Sequence, residues 1–171
     1  LVRTPYGRGA MADYYGSLFT PRGYVVVAQD VRGMGGSLGD WDPFMNERKD
    51  GYDTVQWVAK QPWSDGNVGM IGGSYVGMVQ WQAAVEQPPA LKCIIPQVSP
   101  PDPFYNIPFD HGAFMLGPNA WWTKIVSKKD TDMSSAGNLS ADPKKFLGLP
   151  LSTIDNATIG FDVPFWDRWL A

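Results

Sequence analysis

Ser74 is the side chain in this sequence best placed for covalent chemistry. It stands between Asn67-Val68-Gly69-Met70-Ile71-Gly72-Gly73 and Tyr75-Val76-Gly77. The first segment reads as a buried strand closing on glycines and the second as the start of a helix, so the serine falls on the corner, where a nucleophile elbow needs it. Such a turn demands a sparsely allowed backbone and small neighbours, so that the helix can fold back on the strand. Gly72, Gly73 and Gly77 are read as supplying that room. Against the pattern G-x-S-x-G, Gly72 fits, Val76 takes the place of the second glycine, and Gly77 is displaced by one. A second reading stays open at this point: serine is a favoured N-cap, and Ser74 would then only cap the helix that begins at Tyr75.

A serine hydroxyl attacks a carbonyl only when a base takes its proton, and the usual base is a histidine oriented by a carboxylate. The sequence has one histidine, His111, which follows the serine in chain order, with Asp102 and Asp110 as formal carboxylate partners. Topology argues against it. A triad histidine comes from a loop after a later strand of the sheet, no such strand is legible between Val98 and His111, and Asp110 is a chain neighbour badly placed to orient the ring. A structural or surface histidine is the favoured reading, with the general base as the alternative. The developing oxyanion needs donors. The backbone N–H of Tyr75, first after the nucleophile, is the expected one. The Tyr6 hydroxyl, at a strand end, is a chemically adequate second, with packing as its alternative role.

Composition narrows the remaining classes. The 171 residues are 44% apolar and 18% charged with a net charge of −3, an ordinary globular balance. There is no basic stripe for nucleic acid. Lys128-Lys129 and Lys144-Lys145 read as solvated faces, and no apolar run is long enough for a membrane span. The single cysteine, Cys93, lies in an apolar run and is expected in the core; it excludes an internal disulfide. Gly33 to Gly39 resembles a dinucleotide loop but fails on spacing. Leu38 holds the third-glycine position, and Asp40-Trp41-Asp42-Pro43 follows where a helix should begin. The loop is instead expected to use Asp30 and Arg32 to tie neighbouring backbone together. No cofactor and no metal are expected.

These residues require a sheet to hold them. Leu1 to Tyr6 reads as extended, Gly7 to Gly9 as a loop, Ala12 to Phe19 as a short helix, and Tyr24 to Gln29 as a central strand buried on both faces. Asp50 is placed to cap a helix over Gly51 to Lys60 with Val55, Val58 and Ala59 on one face. The helix from Tyr75 to about Gln87 is apolar nearly all round, hence buried, and Leu91 to Pro96 makes another strand. Strand and helix alternate, so the expectation is an α/β fold with a mostly parallel sheet. After Val98 the character changes to prolines, glycines and aromatics (Phe104, Tyr105, Phe109, Phe114, Trp121, Trp122), an excursion from the sheet built of loop and helix. Both ends look cut from a longer protein.

Taken together, Arg3-Thr4-Pro5-Tyr6-Gly7, Gln29-Asp30-Val31-Arg32-Gly33-Met34-Gly35-Gly36-Ser37, Asp50-Gly51-Tyr52-Asp53-Thr54 with Trp57, Gln61-Pro62-Trp63, and Gly72-Gly73-Ser74-Tyr75-Val76-Gly77 resemble the bacterial acyl esterases. That group of α/β hydrolases includes X-Pro dipeptidyl-peptidases, cocaine esterase, α-amino acid ester hydrolases and glutaryl acylases. The resemblance is strong over the first hundred residues and looser beyond. It implies an α/β-hydrolase fold, partial here, with residues 1–99 the N-terminal part of the catalytic domain and 100–171 the start of a helical cap insertion. It implies Ser74 as nucleophile, with the Tyr6 hydroxyl and the Tyr75 N–H as oxyanion hole, and it makes the displaced Gly77 agreement. The family's catalytic Asp and His follow the cap, so they are expected beyond Ala171.

The implied substrate is a small-molecule ester, amide or short peptide, with carboxylic ester or acyl-amide hydrolysis favoured over dipeptide release, because nothing in the sequence reads a substrate N-terminus. Relatives acting on α-amino esters place an acidic residue just after the oxyanion tyrosine, where Gly7-Arg8 stand here. No nucleic acid or membrane partner is expected, and a homo-oligomer stays open. The alternative of another class is a non-catalytic α/β-hydrolase-like module for binding or assembly, in which Ser74 is only a strained turn residue.

Overall fold

The computed structural model describes residues 1–102, 105–131 and 143–170. Two compact units divide the chain, Leu1–Pro101 and Asp102–Ala171. Phe104, among the aromatics named above, lies outside the described residues.

In the first unit, strands β1 (Val2–Thr4), β2 (Ala28–Asp30), β3 (Val68–Gly73) and β4 (Leu91–Gln97) alternate with helices α1 (Arg8–Phe19), α2 (Glu47–Ala59) and α3 (Tyr75–Val85). β1 pairs with β2 and β3 with β4, both parallel, as the alternation of strand and helix predicts. The Ile71 N–H donates to the Leu1 carbonyl at 3.3 Å, which brings the start of β1 beside β3. Val55 and Val58 of α2 pack on Val68 and Met70 of β3 and Ala83 of α3, with Ala59 partly buried against them; the expected apolar face of the second helix is the core face. Helix α2 lies close on α3, for a Cβ on Gly51 would sit 2.7 Å from the Ala83 Cβ.

Four local expectations are corrected. Helix α1 starts at Arg8, not Ala12, because a residue distant in sequence caps it: Asp30 Oδ1 accepts the Arg8 N–H at 2.6 Å. Helix α2 starts at Glu47, so Asp50 is no N-cap; it lies in the first turn and takes Arg32 Nε at 2.9 Å. Of the run Tyr24 to Gln29 only Ala28 and Gln29 join a ladder, and Tyr24 and Val25 are exposed. Cys93 is exposed. The β3–β4 register shifts between Val68 and Gly69, leaving Lys92 unmatched and Cys93 opposite Gly69, which has no side chain to cover it. An open apolar groove of about 450 Å³, lined by Val25, Val26, Ile71, Cys93 and Ile95 among others, runs along this sheet.

The second unit has a two-residue antiparallel pair, β5 (Phe109–Asp110) with β6 (Ala113–Phe114), and helices α4 (Leu116–Val126), α5 (Ile154–Ile159) and α6 (Pro164–Leu170). Trp166 is fully buried and packs edge-on against Phe114 at 5.5 Å, while Trp122 stacks on Trp169 at 5.8 Å. Phe165 and Trp166 are the buried aromatics among the described residues of this unit, whereas Tyr105, Trp121 and Phe161 are exposed. Lys128, Lys129, Lys144 and Lys145 are exposed. Among the described residues no helix is long and apolar enough to cross a membrane.

Candidate active site

Ser74 occupies the corner between β3 and α3 with φ 57° and ψ −127°. For a residue with a Cβ this conformation is strained, by about 1–3 kcal/mol. It is not the extended conformation of an N-cap serine, and the Ser74 side chain makes no capping hydrogen bond. The serine is exposed. Its backbone is held from both sides: the Ser74 N–H donates to the Gln97 carbonyl at 2.9 Å, and the Ser74 carbonyl accepts from Gly77 and Met78 at 2.9 and 3.0 Å.

Two of the three glycines have steric reasons. A Cβ on Gly72 would stand 2.2 Å from Val76 Cγ1, and one on Gly77 would stand 2.5 Å from the Ser99 Cβ. Gly73 is different, since its nearest contact would be 3.6 Å from the Gln97 carbonyl oxygen, an ordinary van der Waals distance. Room at the corner therefore comes from Gly72 and Gly77. Gln80, fully buried, fastens the helix behind it: its amide donates to the Gly72 and Val76 carbonyls at 3.2 and 2.9 Å, and its oxygen accepts the Ile95 N–H at 2.9 Å.

Tyr75 follows as the first residue of α3, and its side chain is buried. The ring lies against Phe44 at 4.6 Å and Trp41 at 5.5 Å. Its hydroxyl donates to Glu47 Oε1 at 2.8 Å and accepts the Phe44 N–H at 3.1 Å. Glu47 in turn faces Arg3, whose Nη1 is 2.8 Å from Glu47 Oε2 and donates to the Glu47 carbonyl at 3.2 Å. Both charged side chains are buried, at 1% and 2% exposure. Burial pushes the Glu47 carboxyl above its ordinary range, against the pull of Arg3 and the Tyr75 hydroxyl. Burial, and then the neighbouring Glu47 charge, push the Tyr75 hydroxyl well above its ordinary value.

Tyr6 lies two residues past the end of β1, half-buried. The Thr4 hydroxyl accepts the Tyr6 N–H at 3.0 Å. Tyr6 packs on the cluster of Val2, Tyr15 and Val76, so it shares a core with the second residue of the helix that Ser74 begins. The segment after Tyr6 is fixed by Asp30, which besides the Arg8 N–H takes the Gly36 N–H at 2.9 Å, while the Ser37 hydroxyl donates to the Asp30 carbonyl at 2.6 Å. Asp30 thus ties backbone as expected, whereas Arg32 binds a side chain, that of Asp50.

His111 belongs to the second unit, at the β5–β6 turn with φ 48°. It is 78% exposed, and its Nδ1 is 2.7 Å from Asp110 Oδ1. The chain neighbour does meet the ring, contrary to expectation, because the left-handed backbone at His111 folds the two side chains together. Among the described residues no group of three or more His, Cys, Asp and Glu side chains gathers as a metal site. Sequence reasoning passed over Glu47, Gln80 and the pairing of Arg3. An arginine between Val2 and Thr4 in an apolar strand was the available signal; Glu47 begins a run of charges that looks solvated.

The model of the X-Pro dipeptidyl-peptidase (S15) family matches residues 1–169. The chain belongs to that family. Among relatives of this S15 chain, cocaine esterase of Rhodococcus sp. (strain MB1 Bresler) is 40% identical over 133 residues, 74% of this chain and 23% of that protein. The structure of an α-amino acid ester hydrolase aligns with TM-score 0.63 and 31% identity, over 76% of this chain and 25% of that one. An aminopeptidase from the marine sediment archaeon Thaumarchaeota archaeon aligns over 98% of this chain and 32% of its own, with TM-score 0.70 and 24% identity, a likeness of fold. The S15 chain thus spans about a quarter to a third of these three proteins. The fold is that of an α/β hydrolase in part, and the family is one of esterase and dipeptidyl-peptidase type hydrolases.

Proposed function

We propose that this chain carries the nucleophile and the oxyanion hole of a serine hydrolase that cleaves a carboxylic ester or acyl-amide through an acyl-enzyme. The observation that carries the reading is Ser74 itself: an exposed serine held at φ 57° and ψ −127° on a strand-to-helix corner, with no capping bond to account for it. Strain of this kind persists only where the surroundings over-determine it, and it serves to present a side chain. Ser74 Oγ attacks the carbonyl carbon. The carbonyl oxygen, now negative, takes hydrogen bonds from the Tyr75 N–H and the Tyr6 hydroxyl. The leaving alcohol or amine departs protonated, and water releases the acyl group from Ser74.

The general base and its carboxylate are supplied by sequence outside residues 1–171, consistent with the share of its relatives that the chain spans. Residues from about 100 onward begin a helical cap. The chain by itself is therefore expected to show little or no turnover, because an oxyanion hole without a base retains only residual catalysis. Identity to cocaine esterase supports an ester substrate, and dipeptide release from X-Pro peptides is the competing specificity within the family.

The test is fluorophosphonate labelling of the full-length protein and its Ser74→Ala form, with the adduct located by mass spectrometry, followed by turnover of short acyl esters, acyl-amides and X-Pro anilides. An adduct on Ser74 that the substitution abolishes, with ester or amide turnover, is the expected result. No adduct on the folded protein would overturn the reading in favour of a non-catalytic module. An adduct with turnover confined to X-Pro anilides would transfer the specificity to dipeptide release.

A further inference from the structure

Tyr75 has two ends with two different duties. Its backbone N–H is the oxyanion donor of the proposed mechanism, while its side chain points into the protein and ends on a carboxylate. Glu47 Oε1 accepts the Tyr75 hydroxyl at 2.8 Å, and Glu47 Oε2 is 2.8 Å from Arg3 Nη1. Arg3 is the middle residue of β1, the strand that leads into Tyr6, and its Nε donates to Gln29 Oε1 on β2 at 2.8 Å. Thr54 Oγ1 of α2 donates to the Asp50 carbonyl at 2.6 Å and lies 3.1 Å from the same Gln29 oxygen. One polar chain therefore runs from the strand that leads into one proposed oxyanion donor to the residue carrying the other, through the first residue of α2.

Burying a glutamate and an arginine is costly, and replacing such a pair by apolar residues is often neutral or stabilising. Stability alone is a weak reason for this pair to be here. The loop across from it is bent toward the same point: Phe44 adopts φ 68°, unusual for a bulky residue, and its N–H donates to the Tyr75 hydroxyl at 3.1 Å. That hydroxyl is thus gripped from two sides, by Glu47 and by Phe44, with the ring packed on Phe44 and Trp41.

We propose that Glu47 is a positioning residue for the oxyanion hole, fixing the Tyr75 backbone N–H against the end of β1 that presents Tyr6 by holding the Tyr75 hydroxyl and Arg3 at once. The proposal rests on the reading of Ser74 as nucleophile and Tyr75 N–H as donor. Its physical content is orientation: a displacement of about 1 Å at a catalytic donor costs up to about a hundredfold in rate, and it leaves ground-state binding unchanged.

The experiment uses the full-length protein and two double variants, Arg3→Met/Glu47→Gln and Arg3→Met/Glu47→Leu, both free of the buried charge pair. They differ in whether Tyr75 keeps an acceptor. A short acyl p-nitrophenyl ester is turned over by each, with fluorophosphonate labelling of the wild type alongside. The expected result is a kcat at least about tenfold lower for the Leu form than for the Gln form, at equal KM. Tyr75→Phe, which keeps the ring and the Arg3–Glu47 pair, is expected to show the same loss of kcat relative to wild type. It carries the test should the Leu form fail to fold. Equal kcat in the two doubles, or wild-type kcat in Tyr75→Phe, would overturn the positioning role while leaving Ser74 labelling intact. Absence of labelling on wild-type Ser74 would instead remove the proposed function, and this inference with it.

Discussion

Gly72 and Val76 approach so closely that a Cβ on the glycine would stand 2.2 Å from Val76 Cγ1, across the corner that holds Ser74. Neither residue can give way, because Val76 is buried in the cluster beneath Tyr6 and Gly72 has φ 148°. Gly72→Ala is expected to destabilise the full-length protein by roughly 2–4 kcal/mol and to abolish Ser74 labelling, since overpacking and backbone strain add. Gly77→Ala, facing the Ser99 Cβ at 2.5 Å, should behave similarly. Gly73→Ala is the control and should change stability by less than about 1 kcal/mol. Urea unfolding of the three variants, with a labelling assay, measures both effects.

Relief of strain at the corner should be visible as stability. Ser74→Gly removes the Cβ from a backbone at φ 57° and is expected to raise the unfolding free energy by about 1 kcal/mol while ending turnover. Ser74→Ala also ends turnover but keeps the Cβ, so its stability should stay near that of the wild type. Thermal melts of the two, compared directly, decide the point.

Burial of Glu47 gives the stability a pH dependence whose sign follows from the upward direction of its shift. The folded state holds the Glu47 carboxyl above its ordinary value of 4.5, so above that pH it binds more protons there than the unfolded chain does. Stability contributed by Glu47 is therefore present below the ordinary value and is lost as pH rises toward the raised one. Arg3 opposes the shift, so Arg3→Met should extend this loss to higher pH, with destabilisation of about 3–5 kcal/mol near neutrality, where an unpaired carboxylate would be buried. Unfolding midpoints measured from pH 4 upward, for wild type, Arg3→Met and Glu47→Gln, test it. A wild-type slope of opposite sign attributable to Glu47 would refute it.

Asp30 accepts the first N–H of α1 and the Gly36 N–H with its two carboxylate oxygens. Asp30→Ala leaves both donors without that acceptor and should cost about 2–4 kcal/mol. The loss should concentrate locally, as faster amide exchange in the first turn of α1 and in residues 33–37. Asp30→Asn, retaining one acceptor, should fall between. Uniform exchange across the unit would argue that Asp30 acts globally.

His111 is exposed, and among the described residues it meets its neighbour's carboxylate and the Tyr105 ring. His111→Ala in the full-length protein is expected to leave kcat within about twofold. A loss of several thousandfold, the size expected for removing a general base, would make His111 the base after all.

The sequence by itself determined the parallel α/β order, because short apolar runs alternate with longer helical segments at α2 and α3, and those patterns are local properties of the chain. It also pointed to the corner at Ser74, since glycines flanking a serine between strand and helix permit the close approach that a side chain there would block. It did not determine where α1 begins, because the cap is Asp30, 22 residues away. Nor did it determine that Cys93 is exposed, as are Lys92, Ile95 and Gln97 of the same strand, because burial depends on what packs over β4. Least legible was Glu47. In sequence it opens the charged run Glu47-Arg48-Lys49-Asp50, which belongs in solvent by composition, and only packing of α2 against β1 and α3 turns it inward between Arg3 and Tyr75. A charge is buried when its partner is brought to it, and that partner is 44 residues upstream; proximity of that kind exists only in the tertiary structure.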